Sequence, residues 1–286
     1  MTVRISTLVE NTVAGGNVYG EWGLSMLVET DDFTVLADTG ATSAAARNAQ
    51  TLGVSLSAVE AVFFSHGHFD HTGGLLHLLN LVRKPVQVLA HPAVWDRKYA
   101  DSPDLKVCEY NRDSVYEYIG IPYARELAET YGARFVLGKD PVWLSDTVVT
   151  SGEVPMRTDY ETVDPILYVW EDGEYRPDTV PDDQSIFVKT DKGLVAILGC
   201  AHRGIINHLW RGQQLTGVDT VYAVVGGTHL IAADDRRIEK TIRELKRLNV
   251  QVVAASHCTG LHAACALEHA FGDAFRFNNA GTRITI

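Results

Sequence analysis

Short runs of β-branched and aliphatic residues recur along the chain, each four to eight residues long and each closed by polar or turn-forming positions. RISTLVE, LSMLVET, FTVLADTG, AVEAVFFSH and VQVLAH lie in the first third. ARFVLG, SIFVKT, GLVAILGC, TVYAVVGG and VQVVAASH follow later. Their length and residue types predict strands, several of them buried on both faces. Between them the period changes to that of a helix. ATSAAARNAQTLG is Ala-rich and stops at Gly53, and TGGLLHLLNLVRK carries Leu at helical spacing with a basic last turn. DDRRIEKTIRELKRLN sets Ile238, Ile242, Leu245 and Leu248 on one face, with acidic and basic ends that suit the helix dipole. Strands that cluster and then alternate with helices in both halves predict an α/β fold of layered sheets covered by helices. Residues 93–130 interrupt the rhythm. They read as a mostly helical insertion lining a pocket, within a single domain spanning 1–286.

One strand delivers unusual chemistry. FFSHGHFDHTGG (63–74) places His66, His68, Asp70 and His71 within six positions directly after an apolar run. In an extended segment His66 and His68 point the same way, and Gly67 lets the backbone turn closely between them. Asp70 and His71 sit where the chain enters a helix. Two imidazoles on one side, and a carboxylate with an imidazole a turn later, can hold two ions a few ångströms apart. This donor set suits zinc, iron or manganese better than calcium.

Further candidates lie at strand ends. His202 follows GLVAILGC and His257 ends VQVVAASH, and both are read as ligands, with a pocket-lining His that only binds substrate as the alternative. Cys200 is read either as a ligand or bridge, or as a small buried packing residue. Asp38 either orients a ligand imidazole through its second nitrogen or forms the turn before Gly40. His91 and His229 are read as substrate contacts or supports behind a ligand, or as plain structure. Glu153, before a Pro turn, is a weaker candidate for ligand or substrate contact. His77, His208, His262 and His269 fall in helical patterns and are read as surface or structural.

The composition narrows the function classes. The chain has 286 residues, 46% of them hydrophobic, enough for a sizeable core. Thirty-six acidic against 25 basic residues give a net charge of −11, with no basic stripe, so nucleic acid is not an expected partner. No apolar run approaches a membrane span, and MTVRISTLVENTVAGG lacks the apolar core of a signal peptide. The four cysteines form no C-x-x-C pair, which leads to the expectation of a reducing, cytoplasmic setting. A small-molecule substrate is expected, and a homo-oligomer is compatible with the sequence.

SHGHFDHTGG resembles the metal signature of the metallo-β-lactamase superfamily. EWGLSMLVET, VLADTGAT, SGEVPMR, GCAHRGIIN, GGTHL and SHCTG, in order over nearly the whole chain, resemble its subgroup of 7,8-dihydropterin-6-methyl-4-(β-D-ribofuranosyl)aminobenzene-5′-phosphate synthases. The resemblance implies a four-layer αβ/βα sandwich. It implies His66, His68, Asp70, His71 and His257 as ligands, with His202 in a third position particular to the subgroup. Two divalent transition-metal ions are implied, zinc foremost, with iron or manganese as alternatives. Departures from the pattern at Trp22, Met156 and Thr228 are expected to line the pocket.

The leading expectation is a hydrolase that attacks a phosphate-containing or other small ester-type substrate with metal-bound hydroxide. In it Asp70 steers the proton, and His229, with Arg203 or Arg157, neutralises developing negative charge. The alternatives are a transferase that displaces diphosphate from a dihydropterin methyl carbon, and a non-hydrolytic metal-binding or redox module. Tyr110, Tyr116, Tyr118 and Tyr123 could stack a flat ring, although ordinary packing is the favoured reading for them.

Overall fold

The computed structural model describes residues 1–101 and 116–286. The first half runs β1 (Arg4–Val9), β2 (Ser25–Glu29), β3 (Thr34–Ala37), α1 (Ala44–Thr51), β4 (Ala61–Phe63), α2 (Phe69–Thr72), α3 (Leu75–Val82) and β5 (Val86–Ala90). A middle portion adds β6 (Lys98–Asp101), β7 (Tyr116–Tyr118), α4 (Arg125–Thr130), β8 (Ala133–Leu137), β9 (Val148–Thr150), β10 (Leu167–Glu171) and β11 (Glu174–Pro177). The last part comprises β12 (Ser185–Thr190), β13 (Gly193–Leu198), α5 (Ile205–Thr216), β14 (Val221–Gly227), α6 (Asp235–Arg247) and β15 (Val252–Ser256). It ends with α7 (Leu261–Phe271), β16 (Phe275–Phe277) and β17 (Arg283–Thr285).

A seven-stranded sheet has the order β17-β1-β2-β3-β4-β5-β8, and a six-stranded sheet the order β16-β15-β14-β13-β12-β9. In each, one end is antiparallel and the other parallel: β3-β4-β5-β8 and β13-β14-β15-β16 are the parallel runs.

Period-two alternation sorts the core into layers. Ile186 and Val188 of β12, and Val195 and Ile197 of β13, meet Ile5, Met26, Val35 and Phe63 between the two sheets. Their neighbours Phe187, Leu194, Ala196 and Leu198 face the other way, against Ile205, Leu209 and Leu245 of α5 and α6. Leu75, Leu78, Leu79 and Val82 of α3, at i, i+3, i+4 and i+7, cover the outer face of the first sheet with Ala45 and Ala49 of α1. Helix, sheet, sheet, helix is the four-layer sandwich. A one-residue slip in β12 would send Phe187 between the sheets, so burial fixes the register.

The ten apolar runs of the sequence are all strands. Of the segment 93–130, expected to be mostly helical, the structure describes 93–101 and 116–130, and that part is not mostly helical. Its described residues supply β6 and β7, which join β10 and β11 in a four-stranded antiparallel sheet of order β11-β10-β6-β7, together with most of a short 3-10 turn at Pro92–Trp95 and the six-residue helix α4. The physical reason is cross-strand aromatic pairing. Tyr116 stacks on Tyr175 with centroids 3.8 Å apart, and Tyr99 meets Tyr118 edge-on. Tyr123 packs against Trp95, so Tyr116, Tyr118 and Tyr123 each pack against another aromatic side chain; Tyr110 lies outside the described residues. No helix among the described residues is long and apolar enough to cross a membrane.

Candidate metal centre

The carboxyl ends of β3, β4, β13, β14 and β15 converge where the two sheets meet, and each delivers one polar side chain or more. Asp38 follows β3, His66 and His68 follow β4, Cys200 and His202 follow β13, His229 follows β14 and His257 follows β15. Helix α2 returns Asp70 and His71 to the same place. Gly67 is required: any β-carbon there would overlap the carbonyl oxygen of Val94.

The donors fall into adjoining groups. In the first, His66 Nε2 lies 3.0 Å from His68 Nδ1 and 3.2 Å from His202 Nε2. In the second, His71 Nε2 lies 3.2 Å from His257 Nε2, which is itself 3.3 Å from Asp70 Oδ2. Cys200 Sγ, 3.1 Å from His71 Nε2, completes a group with His66 and His71 and so joins the two.

Supporting contacts set which nitrogen each ring presents. The carboxylate of Asp38 can only accept, so at 2.7 Å it receives the Nδ1–H of His71 and leaves Nε2 facing the cluster. Ser65 Oγ donates to the same Asp38 oxygen at 2.7 Å, so its lone pair receives Nδ1–H of His66 at 2.9 Å. His66 then also presents Nε2. Asn11 Oδ1, 2.9 Å from His257 Nδ1, does the same for His257, whose backbone N–H donates to Glu10. Asp182 accepts from the backbone N–H of Gly67 at 2.8 Å and from the buried ammonium of Lys98 at 2.9 Å.

The electrostatics suit a cation. Burial, reinforced by neighbouring imidazoles, pushes His66, His68 and His202 well below 6.5, so these rings are neutral and have lone pairs to offer. At His71 burial also acts downward, but the Asp38 and Asp70 carboxylates outweigh it and hold the ring at about 9. Asp70 is displaced far below the usual carboxylate range, because His71 and His257 outweigh its burial. The second group therefore already attracts positive charge. His68 Nε2, His202 Nδ1 and both nitrogens of His229 are buried without a hydrogen-bonding partner. Imidazole, carboxylate and thiol donors at these separations fit a transition metal.

Above the cluster lies a cavity of about 180 Å³. Its walls are Trp22, Phe69, Ala100, Ile119, Ile166 and Leu167, and its floor includes His68, Asp70, His202, His229 and His257. The small aromatic sheet supplies part of this wall and is tied to the ligand segment, since Phe69 N–H donates to the carbonyl of Ile119 at 2.8 Å.

Of the sequence candidates, His66, His68, Asp70, His71, His202, His257 and Cys200 come together, and His229 forms a further donor group with Cys200 and His202. Asp38 stands behind them, and Trp22 and His229 line the cavity, with the His229 ring 4.0 Å from that of His202. Others go elsewhere. His91 and Glu153 pair with each other at 2.9 Å, and neither belongs to a donor group. The Arg203 guanidinium donates to the carbonyls of Val154 and Thr179, satisfying loop backbone that has no sheet partner. Arg157 reaches Gln214, and Thr228 is buried against Thr259, so none of the three lines the cavity. Met156 does not line it either. His208 is structural, buried between Asp183 and Ser185. Sequence reasoning missed Ser65, Asn11 and Glu10. It also missed Cys258, which forms a donor group with Cys200 and His257. Ser65, beside His66, and Cys258, beside His257, carried a positional hint.

Residues 23–214 match the sequence profile of the metallo-beta-lactamase superfamily. The chain is 32% identical over 289 aligned positions to the 7,8-dihydropterin-6-methyl-4-(beta-D-ribofuranosyl)-aminobenzene-5′-phosphate synthase of Methanocaldococcus jannaschii, covering 98% of this chain and 95% of that protein. The crystal structure of Tm1679, described as a metal-dependent hydrolase of the beta-lactamase superfamily, superposes with a TM-score of 0.81 at 30% identity, covering 99% and 98% of the two chains. YhfI from Bacillus subtilis shares the fold alone, at 12% identity and a TM-score of 0.57 with full coverage of both chains. The profile match, the near full-length relative and the sandwich itself agree: the chain belongs to the metallo-beta-lactamase superfamily.

Proposed function

We propose that this protein is a metal-dependent transferase that joins a dihydropterin to a ribofuranosylaminobenzene phosphate. The amine nitrogen of the aminobenzene attacks the 6-methylene carbon of the pterin. A C–N bond forms, the C–O bond to diphosphate breaks with its electron pair leaving on the diphosphate, and the nitrogen loses a proton. The observation that carries this reading is the composition of the cavity. Six apolar side chains wall it, and among the described residues no Lys or Arg lines it. Such a wall suits the flat, apolar faces of ring substrates better than a small hydrophilic ester. The near full-length similarity to a synthase of this kind supports the same choice over hydrolysis.

The residues divide the work. His66, His68 and His202 would hold one ion, and Asp70, His71 and His257 the other, with Cys200 between them. When bound, the ions would supply positive charge to the departing diphosphate, a role that no Lys or Arg of the cavity lining fills. His229 lines the cavity with neither ring nitrogen in a hydrogen bond and Nε2 3.9 Å from Asp164 Oδ2, and would take the proton the amine loses. Burial would depress this ring, but the Cys258 sulfur and the Asp164 and Asp183 carboxylates hold it above 6.5, which makes it the stronger base. Trp22 and Phe69 present flat faces to ring substrates.

The test supplies metal-reconstituted protein with 6-hydroxymethyl-7,8-dihydropterin diphosphate, with and without the ribofuranosylaminobenzene phosphate. Diphosphate release that requires both, with the joined product seen by mass spectrometry, is the expected result. Diphosphate release without the amine, or cleavage of phosphodiesters or lactones in its place, would return the protein to the hydrolases, in keeping with the description of Tm1679.

A further inference from the structure

A second cavity, of about 260 Å³, lies beside the metal cavity and shares two walls with it, Trp22 and His257. The two rings meet with centroids 5.1 Å apart, so together they form the partition. This cavity is the larger of the two, and nothing in the metal chemistry uses it. Its faces are apolar, and four large side chains stand exposed around it: Phe277 at 43%, Ile231 at 48%, Trp22 at 49% and Leu261 at 75%. Exposed apolar groups gathered at one hollow mark a binding site more often than scattered ones do. One edge is polar, formed by Glu10, Asn11, Thr12, Ser256 and Asn279. The Ser256 hydroxyl is buried there with no hydrogen-bonding partner, a cost that a bound polar group would remove.

Resting on the transferase reading above, the geometry points to this second cavity as the seat of the pterin ring, with the aminobenzene ring in the metal cavity. The chemistry of the two hollows decides which ring goes where. A pterin is a flat bicycle with amide and amino groups along one edge, and it needs apolar faces and a polar rim. The metal cavity offers, besides its candidate ligands, His229 and Cys258, only apolar walls. A pterin there would find, apart from the candidate ligands, only His229 and Cys258 to pair with its several edge groups, whereas a benzene ring needs no partner. Glu10 accepts from His257 N–H and from both the N–H and hydroxyl of Thr12, and so holds the partition and the polar edge in one arrangement. The volume falls below the roughly 300–1,000 Å³ of pockets for drug-sized ligands and suits one ring system. A ring seated here would direct its 6-methylene past Trp22 and His257, toward the cluster that receives the diphosphate.

The test uses metal-reconstituted protein and 6-hydroxymethyl-7,8-dihydropterin, the alcohol without diphosphate, as the probe in equilibrium dialysis. Phe277→Ala removes one apolar wall, and Ala264→Trp fills the hollow from α7, where Ala264 lines it. Each should weaken the probe about tenfold or more, with metal content and affinity for the ribofuranosylaminobenzene phosphate unchanged. If Ala264→Trp fails to fold, Phe277→Ala and Ser256→Ala, which leave the core intact, decide the matter. Wild-type affinity in these variants, or equal loss for both ligands, would overturn the assignment. Coupled product formed with no effect of the variants would overturn the site and leave the transferase reading standing. Variant-sensitive probe binding without coupled product would support the site and remove the reaction.

Discussion

Asp38 and His71 are joined by a 2.7 Å hydrogen bond from the ring Nδ1–H to a carboxylate that is itself buried. The same carboxylate oxygen takes the hydroxyl of Ser65, which in turn receives His66. One residue that touches no substrate therefore orients an imidazole in each half of the cluster. Asp38→Ala should lower metal affinity about 10–100-fold, as measured by competition against a chelator, with the fold retained. Unchanged affinity would show that the rings are held by packing alone.

Cys200 makes a spectroscopic prediction. Its sulfur is 3.1 Å from His71 Nε2, and a thiolate ligand gives a cobalt-substituted protein an intense near-ultraviolet charge-transfer band. Cys200→Ser should abolish that band while Cys265→Ser, at an exposed position, leaves it unchanged. A band that survives Cys200→Ser would move the thiolate to Cys258 or remove sulfur from the site.

In the metal-free protein the cluster histidines should lower stability on both sides of pH 6.5. His66, His68 and His202 are depressed below 6.5, so the unfolded chain binds more protons than the folded one as pH falls below that value, and stability drops. His71 is raised to about 9, so its contribution is complete below 6.5 and is lost as pH rises through 9. In metal-loaded protein an ion replaces that proton and the alkaline loss should disappear. Thermal melts across pH 5 to 10, with and without metal, compare the two directly; parallel profiles would contradict the assignment of these rings to the cluster.

Lys98 is fully buried between Asp178 and Asp182, each at 2.9 Å, and Asp182 also holds Gly67 in the ligand segment. Lys98→Met leaves two buried carboxylates without a counter-charge, which should cost about 3–5 kcal/mol in chemical denaturation. The metal affinity should fall with it. A cost under about 1 kcal/mol would mean the carboxylates take up protons or water without strain.

The sandwich was legible because its strands are continuous apolar runs that no other element reproduces at that length, as in GLVAILGC. The small sheet was not. KYAD, YEY and EYRP mix charge with tyrosine, and their pairing is set by aromatic contacts between segments far apart in sequence. His66, His68, Asp70 and His71 were legible by density, and His202 and His257 by position after a strand. Ser65 and Asn11 were hidden because a lone serine or asparagine carries no signal until the fold sets it beside an imidazole; Asn11 lies 246 positions from His257. Arg157 and Arg203 misled because a guanidinium near the site was assumed to await a phosphate, when loop carbonyls and Gln214 already occupy them.

The central claim, that two donor groups hold two ions, is tested most directly by elemental mass spectrometry of protein reconstituted with zinc, iron or manganese. The account predicts about two ions per chain in the wild type and about one in both His202→Ala and His257→Ala, each variant emptying a different group. Less than one ion in the wild type under every metal, or two ions retained in both variants, would contradict it.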